Sequence, residues 1–215
     1  MHDLNRHDMV NTVNEHNYFQ RISKAWGESD IKKKHPEWAW SLAATQLYTD
    51  SLVIVGFNWG AAQMEKYDPQ EILPDQPWPK QDLGSLARTL PYLQTYFPDI
   101  DLDTIVQTNY CFFRSHKEGD ISSRDVVLTH SIFLDLLQDL RPKHVLVFSA
   151  ILRDRILPQL NHIKEAEITS GNKKPKAIRA TWSIGGREIP VGIIPHPNNA
   201  ITGEARDKCW EHVKP

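Results

Sequence analysis

This 215-residue sequence predicts an α/β domain of three layers, helices on both sides of a central, mostly parallel sheet. Three observations carry that prediction. Leu52-Val53-Ile54-Val55-Gly56-Phe57 and His144-Val145-Leu146-Val147-Phe148-Ser149 are short apolar runs rich in β-branched residues, the mark of strands covered on both faces. Segments with helical apolar spacing alternate with such runs. Near the end, Lys176 to Ser183 and Arg187 to Ile194 flank Gly185-Gly186, which reads as a β-hairpin on a two-glycine turn.

In chain order, residues 1–36 form a polar segment expected to pack on, or extend from, a domain occupying 37–215. Lys32-Lys33-Lys34 reads as solvated surface. His2, His7, His16 and His35 lack metal-ligand spacing. Trp38, Leu42, Ala43 and Leu47 recur near helical spacing and predict a helix. The strand 52–57 follows. Pro69, Pro74, Pro77 and Pro79 make 68–80 a loop, because proline removes donors and fixes φ. Ser85 to Phe97 has helical spacing, broken or kinked at Pro91.

Ile105 to Asn109 is a second short strand. Ser122 to Leu140 is an amphipathic helix opened by the capping signal Ser122-Ser123-Arg124-Asp125, with Val126, Phe133, Leu136, Leu137 and Leu140 on its apolar stripe. After the strand 144–149, Ile151 to Leu160 reads as a short helix. Gly171 to Pro175 is a basic loop before the hairpin, and a last helix runs from about Thr202 to Val213.

The formal net charge is −2, so a basic nucleic-acid footprint is absent from the chain as a whole; a local basic face remains open. Two cysteines, Cys111 and Cys209, are too few for a four-thiolate zinc or iron–sulfur site. No signal-peptide pattern opens the sequence, and no apolar run approaches the roughly 20 residues of a membrane helix. The expectation is a soluble protein of a reducing compartment, cytoplasmic or otherwise intracellular, without membrane contact.

Ligands of open α/β sheets bind at the carboxyl ends of the strands. Three loops leave such ends: Gly56-Phe57-Asn58-Trp59-Gly60, Thr108-Asn109-Tyr110-Cys111, and Pro195-His196-Pro197-Asn198-Asn199. Each alone is weak, since an asparagine after a strand is commonly a turn former. Their order, with a helix after the third, is more specific.

That set resembles the uracil-DNA glycosylase superfamily, and within it the single-strand-selective monofunctional and mismatch-specific types. These carry Gly-x-Asn-Pro-Gly after the first strand, an asparagine in a context like His-Asn-x-Cys on a middle strand, and a late His-Pro-Ser loop before a helix. The resemblance covers roughly residues 50–213. Trp59 stands where the family has proline, and Asn198 where it has serine.

The resemblance implies a glycosylase that acts on DNA as a monomer, without metal or other cofactor. Asn58 would position the hydrolytic water, with Gly56, Phe57 and Gly60 around it. Asn109 would read the uracil edge, since one amide both donates and accepts. His196 would donate to uracil O2 as charge develops there. Trp78, in Pro77-Trp78, would stack on the base or simply cover core. Asn198 and Asn199 would approach DNA, and Ile201 would act as a wedge or only open the helix. Arg114, Lys117, Lys173 and Lys174 are candidate phosphate contacts.

N-glycosidic cleavage separates a sugar cation from a base anion, so a fixed donor at the base suffices where little nucleophilic push is needed. Gly60 has no side chain where the most uracil-restricted relatives place a tyrosine, which predicts tolerance of 5-substituted uracils. Other readings keep the fold but take a deaminated purine, or bind nucleic acid or a nucleobase without hydrolysis.

Overall fold

The computed structural model describes residues 13–215. His2 and His7 lie outside the described residues. The elements are α1 (Glu15–Glu28), α2 (Asp30–Lys34), β1 (Leu52–Gly56), β2 (Trp59–Gly60), α3 (Leu90–Tyr96), β3 (Val106–Asn109), β4 (Arg114–Ser115), α4 (Ser123–Leu140), β5 (His144–Val147), α5 (Ala150–Ile156), β6 (Leu160–Glu167), β7 (Lys176–Ile184), β8 (Arg187–Ile193) and α6 (Gly203–Val213).

Six strands form one sheet in the order β3-β1-β5-β8-β7-β6. The pairs β3–β1, β1–β5 and β5–β8 are parallel; the hairpin β8–β7 and the edge pair β7–β6 are antiparallel. The sheet is therefore mixed, with its parallel half at the centre. Helices lie on both faces. Alternate residues of β1 show how this follows from sequence. Val53 and Val55 join the core with α1 and α4, whereas Leu52 and Ile54 join the core with α3 and α6. A strand with two buried faces has no polar side to show, and so reads as an unbroken apolar run.

Local chemistry sets the element ends. Ser122 caps α4 with its hydroxyl accepting from the Asp125 backbone N–H, and the Asp125 carboxylate accepts from the Ser122 N–H, a reciprocal capping box. Gly185 and Gly186 both have positive φ, 56° and 76°, as a two-residue turn matched to sheet twist requires. Pro91 opens α3 rather than breaking it: a 3-10 turn over Gly84–Thr89 comes first, and the ring sits in the first turn, where no N–H is needed.

Other expectations change or sharpen. The stretch 38–48 is an irregular strap, not a helix. Its apolar side chains are buried, but Trp40 bridges Phe113 and Ala43 bridges Thr108. The strap thereby covers the outer edge of β3, satisfying ladder groups that a helix would leave bare. The helix predicted over 151–160 ends at Ile156, with a 3-10 turn after it. Leu160 then begins β6, an edge strand whose exposed, charged side chains hide it from apolar pattern. Finally, the segment before residue 37 holds two helices. α1 buries Tyr18, Phe19, Ile22, Ala25 and Trp26, and Ile31 of α2 is buried too. Tyr18 donates to Asp139 of α4 at 2.6 Å, and the buried Asp125 accepts from the Asp30 backbone at 2.7 Å.

Candidate functional site

The carboxyl ends of β1, β3, β5 and β8 surround one cleft of about 650 Å³. Asn58, Asn109 and His196 all line it, with Gly56, Phe57 and Gly60. The three loops that the sequence singled out thus converge.

Asn109 ends β3 and is paired in register with Gly56 of β1. A Cβ on Gly56 would lie 2.2 Å from the Asn109 side-chain oxygen. Glycine is therefore required here by close approach: the amide lies across the bare backbone of its neighbouring strand. Asn109 is nearly buried, yet its amide has no protein partner among the described residues and faces the cleft.

Asn58 is held differently. Its Nδ2 donates to the Trp59 carbonyl at 2.8 Å and to Ser115 Oγ at 2.7 Å. Ser115 in turn donates to the Lys117 carbonyl at 2.7 Å. Both amide hydrogens of Asn58 are spent, so its Oδ1 is left as an acceptor, suited to a water molecule.

The loop around Asn58 needs stiffness that proline would give elsewhere. Here Trp59 and Gly60 form β2, paired in parallel with Arg114 and Ser115 of β4. The Trp59 indole N–H donates to the Ser41 carbonyl at 2.5 Å. Arg114 donates to the Gly60 carbonyl at 3.0 Å and to Ser41 Oγ at 2.9 Å, while its guanidinium covers the Tyr67 ring at 4.7 Å. Arg114, a candidate phosphate contact in the sequence, is instead a partly buried brace for this loop.

His196 opens a turn closed by the Asn199 N–H donating to its carbonyl at 2.8 Å, with Pro197 at the favoured second position. The Asn198 backbone N–H donates to His196 Nδ1 at 3.2 Å. A nitrogen that accepts cannot carry the proton, so the neutral ring has its hydrogen on Nε2. Burial lowers the His196 pKa, the nearby Glu118 carboxylate opposes that, and Arg206 adds to it. The net lowering favours the neutral ring, whose N–H is then on Nε2.

Several sequence assignments change here. Trp78 is fully buried among Leu52, Ile54 and Phe97, and its ring lies outside the cleft lining. It cannot stack on a ligand; the aromatic rings lining the cleft are Phe57, Trp59 and Phe148. Ile201 is half-buried against the α6 core, so its apolar surface is already partly used in folding and it is no free wedge. Asn198 is exposed and acts through its backbone on His196, and Asn199 lines the adjoining cavity.

That second cavity, about 500 Å³, shares Glu118, Phe148, Ser149 and His196 with the cleft and adds Arg153, Lys174 and Lys176. These cations are also paired with Asp154, Glu167 and Glu165. Lys173 donates to the Ala200 carbonyl and so braces the His196 loop.

Residues that sequence reasoning missed are Ser115, Gln107, Glu118, Phe148 and Ser149. Phe148 and Ser149 follow β5, a fourth strand end that the same topological rule would have flagged. Gln107 lies two residues before Asn109, hence on the same face of β3. Ser115 and Glu118 follow no local pattern.

Cys111 and Cys209 are free thiols, both buried. Burial pushes their pKa values up, to about 12 and about 11, so neither is an activated nucleophile. No group of three or more His, Cys, Asp or Glu among the described residues is arranged to hold a metal ion, and no described helix is long and apolar enough to cross a membrane. No protein-family model matches the chain, and no curated protein matches it.

Proposed function

We propose that this protein is a monofunctional DNA N-glycosylase of the uracil-DNA-glycosylase-like fold, hydrolysing the glycosidic bond of uracil or a related base. The observation that carries this is the convergence, in one cleft, of a water-accepting amide oxygen on Asn58, an unpartnered amide on Asn109, and a neutral imidazole on His196 with its proton on Nε2. Those are the groups that departure of a base anion requires: a holder for water, a reader of the base edge, and a donor where charge collects.

The chemistry follows from their placement. The base leaves the stack and enters the cleft. Its edge meets Asn109, and His196 Nε2–H donates to the oxygen on which negative charge develops. Asn58 Oδ1 holds water for the sugar carbon but is a poor base, so bond breaking runs ahead of attack. Among the cleft residues Asp82 and Glu118 carry carboxylates, and Glu118, beside His196, is the one placed to oppose the sugar's positive charge. The adjoining cavity with Arg153, Lys174 and Lys176 offers a path for a phosphodiester strand.

The test is a single-stranded oligonucleotide with one uracil, incubated with the protein and then cleaved at abasic sites by alkali. Strand scission with the native chain, lost in Asn58→Ala and His196→Ala, is the expected result. Salt-dependent binding without scission would instead assign a nucleic-acid-binding role to the same cleft. Neither binding nor scission would remove DNA from the account.

A further inference from the structure

We propose that Gln107 restricts the cleft to bases that carry a carbonyl, and not an amino group, on the edge that faces β3. This rests on the base-binding role of the cleft and names the residue that sets its choice.

Asn109 alone cannot make that choice. Its amide is unpartnered, and rotating the side chain by half a turn exchanges its donor for its acceptor. In one orientation it suits an exocyclic carbonyl beside a ring N–H, as in uracil. In the other it suits an exocyclic amine beside a bare ring nitrogen, as in cytosine.

Gln107 lies on the same face of β3, about 6.6 Å deeper along the strand, and lines the cleft with Ile54 and Asn109. Its Oε1 accepts from the Trp78 indole N–H at 2.8 Å. That bond fixes the amide, because an indole N–H is a donor only. A half-turn of Gln107 would set its NH2 against the Trp78 N–H and strand both donors in the core. Trp78 cannot swing away to permit it, being fully buried.

The Trp78 bond holds the Gln107 oxygen toward the core and leaves its NH2 as the donor it offers to the cleft that it lines. Its Nε2 makes no hydrogen bond to protein among the described residues, and the half-buried Gln107 lines the cleft. A carbonyl oxygen has two lone pairs, one for Asn109 and one for Gln107. An amine in the same place would direct N–H at N–H, leaving donors desolvated and unpaired. The locked glutamine breaks the symmetry that the asparagine leaves open, and Trp78 acts as its positioning residue.

The experiment compares uracil with cytosine at one position of the same oligonucleotide, scored by alkali-labile scission. In parallel, the binding of free uracil and free cytosine to the full chain is measured by calorimetry. In Gln107→Glu the Trp78 bond survives and an acceptor replaces the outward donor. The uracil-to-cytosine ratio is expected to fall about tenfold or more in both measurements, the size of one hydrogen bond's contribution. In Trp78→Phe the ratio falls as well, because the amide is free to turn; Gln107→Ala falls less. Thermal melts identify any variant that fails to fold, and Gln107→Glu and Gln107→Ala stand without Trp78→Phe. A ratio unchanged in both Gln107 variants, with an active native chain, overturns the Gln107 proposal alone. A native chain that neither binds nor cleaves either base overturns it together with the base-binding role.

Discussion

The cleft has two polar walls held by opposite means. The wall that carries Asn58 is fixed almost wholly by residues remote in sequence: Ser115 on its amide, Arg114 on Gly60, Ser41 on Trp59, and the Cys111 backbone N–H donating to the Phe57 carbonyl at 2.7 Å. The wall that carries His196 is built largely by its own turn, with Asn198 and Asn199 bonding back to His196 across two and three residues. Arg206 and Lys173 support it only through surface contacts to the Asn199 and Ala200 carbonyls. In the proposed reaction Asn58 holds water against a reacting sugar, a task that needs positioning within fractions of an ångström, and a distant brace gives that. A donor aimed at a leaving base needs the right tautomer first, and a local turn suffices to set it.

The largest effect is expected where the first wall meets Asn109, the proposed base reader. Gly56→Ala places a methyl group where the Asn109 oxygen lies, so the amide must move. Loss of about 100-fold in kcat/KM is expected, the usual result of a misplaced reading group, with the melting temperature little changed. Unaltered kinetics would mean that Asn109 does not read the substrate.

Next comes the brace itself. Ser115→Ala frees the Asn58 amide to rotate, and about a tenfold fall in kcat with KM held is expected, one hydrogen bond's worth. A rise in KM with kcat unchanged would place Asn58 in binding and not at the water.

The second wall is tested by pH. Protonating His196 at Nδ1 would set its new N–H against the Asn198 N–H and undo the local turn. Its pKa lies below the ordinary histidine value because burial penalises the charged form. Activity should therefore be flat at neutral pH and decline only as pH falls through that lowered pKa. His144 must be separated from this effect. It is buried with Nε2 unpartnered, and burial pushes its pKa down to about 4. The unfolded chain binds a proton near pH 6.5 that the folded chain refuses until about pH 4, so the fold loses stability as pH drops through that window. Circular dichroism at each pH distinguishes the two, and His144→Asn should remove the stability slope while leaving the activity profile in place.

The smallest effect is expected at Gly60. Nothing lies within 4 Å of a Cβ there, so Gly60→Ala should change uracil excision less than about twofold. A bulky Gly60→Tyr should selectively suppress excision of 5-substituted uracils in competition assays. Rejection of every 5-substituent by the native chain would show that this opening is closed by other groups.

Much of this was legible in the chain itself. The apolar runs 52–57 and 144–149, the Ser122–Asp125 cap and the Gly185-Gly186 turn are local signals, because each depends on residues within a few positions of one another. They sufficed to predict an α/β sheet; Asn58, Asn109 and His196 were nominated by the loops at its strand ends and by the resemblance those loops carry. The strap 38–48 was misread because its apolar spacing follows contacts made across the β3 edge, not the period of a helix. Trp78 was left between two readings for a related reason: a loop tryptophan looks the same in sequence whether it faces a cleft or, as here, fills a core.

By itself, then, the sequence determined the alternation of strands and helices and the strand ends from which the polar groups emerge. Only the tertiary structure decided that Ser115 orients Asn58, that Arg114 and Trp59 stiffen a loop without proline, and that Trp78 locks Gln107 from within the core. The division is physical. Dihedral preferences and side-chain periodicity are encoded residue by residue, whereas a hydrogen bond between positions 58 and 115 exists only after the sheet has brought two loops together.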